Sequence, residues 1–154
     1  MISLSDYAGK LYAQPGMQSL LLSLQDDDGD DVLLLLMACW LGQQCVAADV
    51  AQWRQLHAQQ AGWREQVIEP LRAVRRRLAN DAAAIEVYEQ AKRAELAAEY
   101  QRLAWLQQAY PQTVQAACSA EESIRAHLAL CSANPAYRLE PLLQAATRLP
   151  LSAE

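Results

Sequence analysis

Two clusters of opposite charge hold the residues most able to do chemistry. The first is the run Asp26-Asp27-Asp28-Gly29-Asp30-Asp31. Asp26, Asp27 and Asp30 satisfy a DDxxD spacing, which on a helix turns carboxylates to one side and lets them hold magnesium against a diphosphate. That chemistry needs a helical setting and a second acidic cluster. Gly29 and the density of aspartates favour a loop instead, and no second cluster follows. A calcium loop fits less well, because Asp31 stands where that loop needs glycine and Met37 where it needs glutamate. The simpler expectation is a solvated double cap. Gly29 ends one helix in the left-handed conformation, and Asp30 or Asp31 starts the next, where negative charge is favourable.

The second cluster is Arg72, Arg75, Arg76 and Arg77. Guanidinium groups bind phosphate or carboxylate bidentately, so Arg72, Arg75 and Arg76 form a candidate site for an anion or an acidic partner. Against this stands neutralisation within the fold by Glu65, Glu69 and the aspartate run. If the two clusters meet in space, the case for an external anion largely disappears. His127 and Cys131 lie one helical turn apart, but a metal site needs two more ligands, and only His57 and the thiols Cys39, Cys45 and Cys118 remain. These read as separate core or surface residues. No nucleophile elbow, HExxH, phosphate-binding glycine loop or CxxC is present, and no cofactor is expected.

The elements that position these groups follow from apolar spacing. Val32–Leu41 is ten consecutive apolar residues, which on a helix leaves no face for water. It is too short for the ~30 Å core of a bilayer, so it reads as the central helix, about 32–43, of an all-α protein. Before it, Ser3 or Ser5 caps a short helix, and Pro15 suits the first residue of a second. After it, a helix from about Asp49 to Gln60 is expected to break or bend at Gly62. Trp63, Val67, Leu71, Val74 and Leu78 then form an amphipathic stripe, kinked or restarted at Pro70, with the arginines on its outer face. A long helix at about 81–110 begins at Asn80 or Asp81 and stops at Pro111. It carries a line of mostly small residues, Ala91, Ala94, Ala98 and Trp105, that suits close approach of a partner helix. Ser119 and Glu122 have capping-box spacing, and Asn134-Pro135 starts the last helix.

Composition agrees with one helical domain over 1–154. Good helix formers dominate, phenylalanine is absent and the apolar fraction is 53%. A net charge of -5 argues against nucleic acid as a partner. The N-terminal stretch has Asp6 where a signal peptide needs positive charge and lacks an apolar run leading to a cleavage site, so a cytoplasmic location is expected.

Three blocks resemble an uncharacterised bacterial family of short helical proteins. They are Leu24-Gln25-Asp26 with Asp31-Val32, Leu34-Leu35 and Trp40-Leu41; Trp63, Val67-Ile68, Pro70-Leu71-Arg72, Arg75-Arg76 and Leu78; and Glu95-Leu96 with Glu99. The resemblance reaches to about Leu103 and implies a bacterial cytosolic helical protein, with no catalytic residues to transfer. The resulting expectation is a single compact bundle of about seven to eight helices acting as a non-enzymatic interaction or adaptor module. It would bind an unidentified protein through Arg72, Arg75, Arg76 and the Ala91–Trp105 line, with homodimerisation through the long helix also open. The competing expectation is a magnesium-dependent binder or enzyme acting on a phosphorylated or prenyl-diphosphate ligand through the acidic loop and the arginine helix.

Overall fold

Ten consecutive apolar side chains must be covered on every side, and in the computed structural model the helix they form is the centre about which the others are placed. This helix, α3 (Val32–Gln43), buries every residue from Leu34 to Gly42. The structure describes residues 2–111 and 115–151. Among these, the other α-helices are α1 (Leu4–Tyr12), α2 (Met17–Asp26), α4 (Val50–Trp63), α5 (Glu69–Leu78), α6 (Ile85–Ala109), α7 (Ala120–Cys131) and α8 (Ala136–Arg148). The described residues contain no β-strand, only an isolated antiparallel bridge between Val46 and Gln115. None of these helices is long and apolar enough to cross a membrane.

Helix α3 packs most extensively on α7, and α1, α8 and the end of α6 cover its other sides. The closeness of α3 and α7 depends on one residue. A Cβ added at Gly42 would fall on the backbone of Ile124, so only glycine lets the two helices touch there. Trp40 is buried with its indole N–H donating to the Ile2 carbonyl, 3.2 Å away.

Local signals set most boundaries. Ser3 accepts from the Asp6 N–H, and Ser119 and Glu122 form the reciprocal capping box their spacing predicts. Gly29 adopts φ 72°, ending α2 as expected. Pro15, by contrast, is not the first helical residue. Gly16 takes φ 81° and turns the chain between α1 and α2, so helical geometry cannot begin until Met17.

Gly62 does not interrupt α4. The helix widens instead into a π-helical turn at Arg64–Ile68, where the Glu69 N–H donates to the Arg64 carbonyl, and then continues as α5. Proline lacks an amide hydrogen and crowds the preceding turn, and the wider turn just before Pro70 absorbs both effects. A 3-10 turn at Ala82–Ala84, capped by Asp81, leads back into α6. Helix α5 has no buried residue, and its substantial contacts are with α6 and the π-helical turn. Together α5 and the first half of α6 form an arm beside α1 and α2.

Candidate functional site

The arm does not close against the body. Helices α1 and α2 and the start of α3 form one side of a groove, and the π-helical turn, α5 and α6 form the other. The cavity between them is about 570 Å³ and open to solvent along one side. Its apolar floor includes Ala8, Leu21, Leu33, Leu36, Ile68 and Leu103. Tyr12, Tyr88, Lys92 and Tyr100 stand around its mouth.

Ion pairs hold the walls in place. At the inner end, Arg102 is 2% exposed and donates from both terminal nitrogens to Asp31, at 2.8 and 2.5 Å, while its Nε–H donates to Gln60 Oε1 at 3.1 Å. This bidentate contact ties α6 to the beginning of α3 and to α4, and paired, hydrogen-bonded burial of this kind lets a guanidinium sit inside a fold. Midway along α6, the buried Glu95 accepts from Arg72 Nε–H at 3.2 Å and from Arg75. Arg72 also reaches Glu99 at 3.5 Å. Arg76, outside the lining, pairs with Asp26 and so links α5 to the end of α2. Burial, and then the nearby Glu95 carboxylate, hold the Glu99 carboxyl above its ordinary range, with Arg72 partly opposing them. The hydrogen bond from Arg75 to Glu95 strengthens that guanidinium's hold on its proton.

Arg72 and Arg75 are therefore not on an outer face, whereas Arg76 and Arg77 stay exposed. Arg72 and Arg75 turn toward α6, because the helix face that meets α6 is offset from the apolar stripe. Val74, on that stripe, is 45% exposed. The two charge clusters do meet, through Arg76 and Asp26, and the fold neutralises Arg72 and Arg75 with Glu95 and Glu99. The small-residue line divides. Ala91 and Ala98 are buried in a seam with Glu95 and Arg102, one turn apart each time, facing α4 and α5. Ala94 and Trp105 stay exposed. Trp105 meets Trp63 edge to face at 4.9 Å, and the Trp63 indole N–H donates to the Ala98 carbonyl at 3.0 Å.

The aspartates diverge. Asp27 accepts from the Ser23 hydroxyl at 3.0 Å, Asp28 from Arg138, and Asp30 from Ser132 and Asn134, while Asp26 faces Arg76. Among the described residues no three carboxylates, imidazoles or thiols gather where they could share an ion. Asp31 stands at the N-terminus of α3 but gives its carboxylate to Arg102 rather than to the helix amides. His127 is buried with both ring nitrogens engaged: Nδ1 accepts from the Trp53 indole N–H at 3.0 Å, and Nε2–H donates to the Val46 carbonyl at 2.7 Å. Burial pushes its pKa below the ordinary value. The four cysteines are free thiols.

Gln60, Glu95 and Arg102 escaped the sequence reading because buried polar residues look like surface residues in a hydropathy pattern. Their signal is positional. Ala91, Glu95, Ala98 and Arg102 alternate small and polar residues along one helical stripe, with Arg72 and Arg75 available on the preceding helix.

A family model described as "protein of unknown function (DUF2390)" matches residues 3–106. That span contains every residue lining the groove and stops short of α7 and α8. No curated protein matches the chain, and no solved structure does. By the extent of that match, about two thirds of its length, the chain belongs to the family of proteins of unknown function DUF2390.

Proposed function

We propose that this chain is a non-enzymatic interaction module, and that the groove between α1–α2 and the α5–α6 arm is the surface that receives its guest. The observation carrying this reading is an open cavity of about 570 Å³ over an apolar floor. Small-molecule sites occupy roughly 300–1,000 Å³. Apolar surface held against water costs about 25 cal/mol per Å², so a guest that covers the floor gains affinity. The disposition of charge supports binding over catalysis. Arg64, Arg72, Arg75 and Arg102 face carboxylates of the chain itself, where they set the spacing of the walls.

In this reading Arg72 and Arg75 line the groove and Arg76 lies beside it, Ala91 and Ala98 pack in the seam that α6 makes with α4 and α5, and Ala94 and Trp105 lie outside. The magnesium-diphosphate reading gains no support, because Asp26, Asp27 and Asp30 each turn to a different protein donor. Free thiols suit a reducing compartment such as the cytoplasm.

Gly9 offers a clean test. It lines the groove on α1, and a Cβ there meets nothing within 4 Å. Leucine at this position favours the helix by up to about 1 kcal/mol while filling the cavity. Nile red, a neutral dye that fluoresces in apolar surroundings, is expected to bind the wild type and not Gly9→Leu, with the variant's melting temperature equal or higher. Equal dye binding by both proteins would contradict the groove as the binding surface.

A further inference from the structure

Resting on that reading of the groove, we infer that its guest is a single-headed anionic amphiphile, a long-chain carboxylate lying along α6 with its head at Lys92 and its chain running inward to Leu103. Polarity changes in order along the groove. Tyr88 and Lys92 share the outer end of one face of α6; Leu96, Tyr100 and Leu103 follow on the same side toward the core. Lys92 and Leu103 are eleven residues apart, about 16 Å along a helix. At the inner end Leu33 and Leu36 of α3 form the floor, and Arg102 and Asp31 beside them are paired with each other and nearly buried.

Charge selects the head. Five basic and four acidic side chains line the cavity, and Lys92 is the basic one with no carboxylate of the described residues within 4.0 Å. The hydroxyls of Tyr12 and Tyr88 have no hydrogen-bond partner among the described residues; Tyr12 lies near Glu99, Arg75 and Glu95, and Tyr88 near Arg75. One ammonium and two phenolic donors therefore line a cavity that carries one more basic than acidic side chain. A carboxylate accepts from each of them, whereas a cationic head would meet Lys92 and Arg75. A second head group would have to sit on the leucine floor.

The test is isothermal titration with dodecanoate, dodecanol and dodecyltrimethylammonium, below their aggregation concentrations, on the full chain, Lys92→Glu and Gly9→Leu. The wild type is expected to prefer dodecanoate over dodecyltrimethylammonium by tenfold or more, about 1.4 kcal/mol. Lys92→Glu, a change at an exposed position, is expected to cancel or reverse that preference with helical circular dichroism unchanged. Gly9→Leu is expected to lose all three ligands. Dodecanol binding as tightly as dodecanoate, with Gly9→Leu blocking both, would overturn the anionic head and leave the groove standing. Dodecanoate binding equally to wild type and Gly9→Leu would overturn the groove as well.

Discussion

Helix α3 against α7 and helix α5 against α6 are two solutions to the same problem of joining helices. The first is dry: Gly42 lets the backbones touch, and the neighbouring side chains are apolar and buried. The second is polar: α5 buries no residue, and Arg72 and Arg75 reach Glu95 across the gap. Apolar contact gains by excluding water and closes until atoms meet. Ion pairs hold their helices at the length of the side chains, and beside such a wall a groove can stay open. The difference teaches that the body fixes the shape and the arm sets the spacing.

Predictions follow from trying to erase that contrast. The largest effect is expected for Gly42→Ala, which forces a methyl group onto the backbone of Ile124. Overpacking of this kind costs about 1–3 kcal/mol where side chains give way, and here backbone must move, so a loss of about 3 kcal/mol or more is expected in urea denaturation. Next is Arg102→Met at the junction of the two regions. It leaves the Asp31 carboxylate nearly buried, with Arg64 at 3.9 Å as its remaining cation, and is expected to cost about 3 kcal/mol.

Acid is expected to act on the two regions in opposite senses. His127 is held neutral, with Tyr110 and Trp53 packed around it and the Asp49 amide bonded to Tyr110. Its folded pKa lies below the ordinary value near 6.5, so as pH falls below about 6.5 the unfolded chain takes up a proton that the folded chain does not, and stability of the body drops. Glu99 faces Glu95, Arg72 and Arg75, and its folded pKa is raised. Protonation there relieves the arm, and the relief is lost as pH rises through the folded value. Urea denaturation from pH 7 to 5 should therefore fall more steeply for Glu99→Gln, which removes the opposing contribution, than for wild type. An identical slope would contradict this assignment. The smallest effect is expected for Arg76→Ala. Its pair with Asp26 is about half-exposed, so stability in urea denaturation should change by less than about 1 kcal/mol.

The body was legible in the sequence, because ten apolar residues in a row, too few to span a bilayer, leave a helix that must be covered on every side. The capping box at Ser119 and the left-handed Gly29 were legible for the same local reasons. The groove was not. Glu95 and Arg102 announce themselves only when their partners on other helices are known, Arg72 and Asp31 among them, and these lie 23 and 71 residues away. The direction of the arginines was misread because the π-helical turn shifts the register of α5 relative to α4, and the apolar stripe counted from Trp63 no longer marks the buried face.

Native-state hydrogen exchange of the full chain, with and without dodecanoate, tests the contrast and its use together. Amides of α3 should be slow in both conditions, since they open only when the body unfolds. Amides of α5, packed only on α6 and the adjoining π-helical turn and with no buried residue, should exchange fast in the free protein and slow when the amphiphile bridges the groove. Protection of α5 equal to that of α3 in the free protein, or an α5 unchanged by a bound amphiphile, would contradict the account.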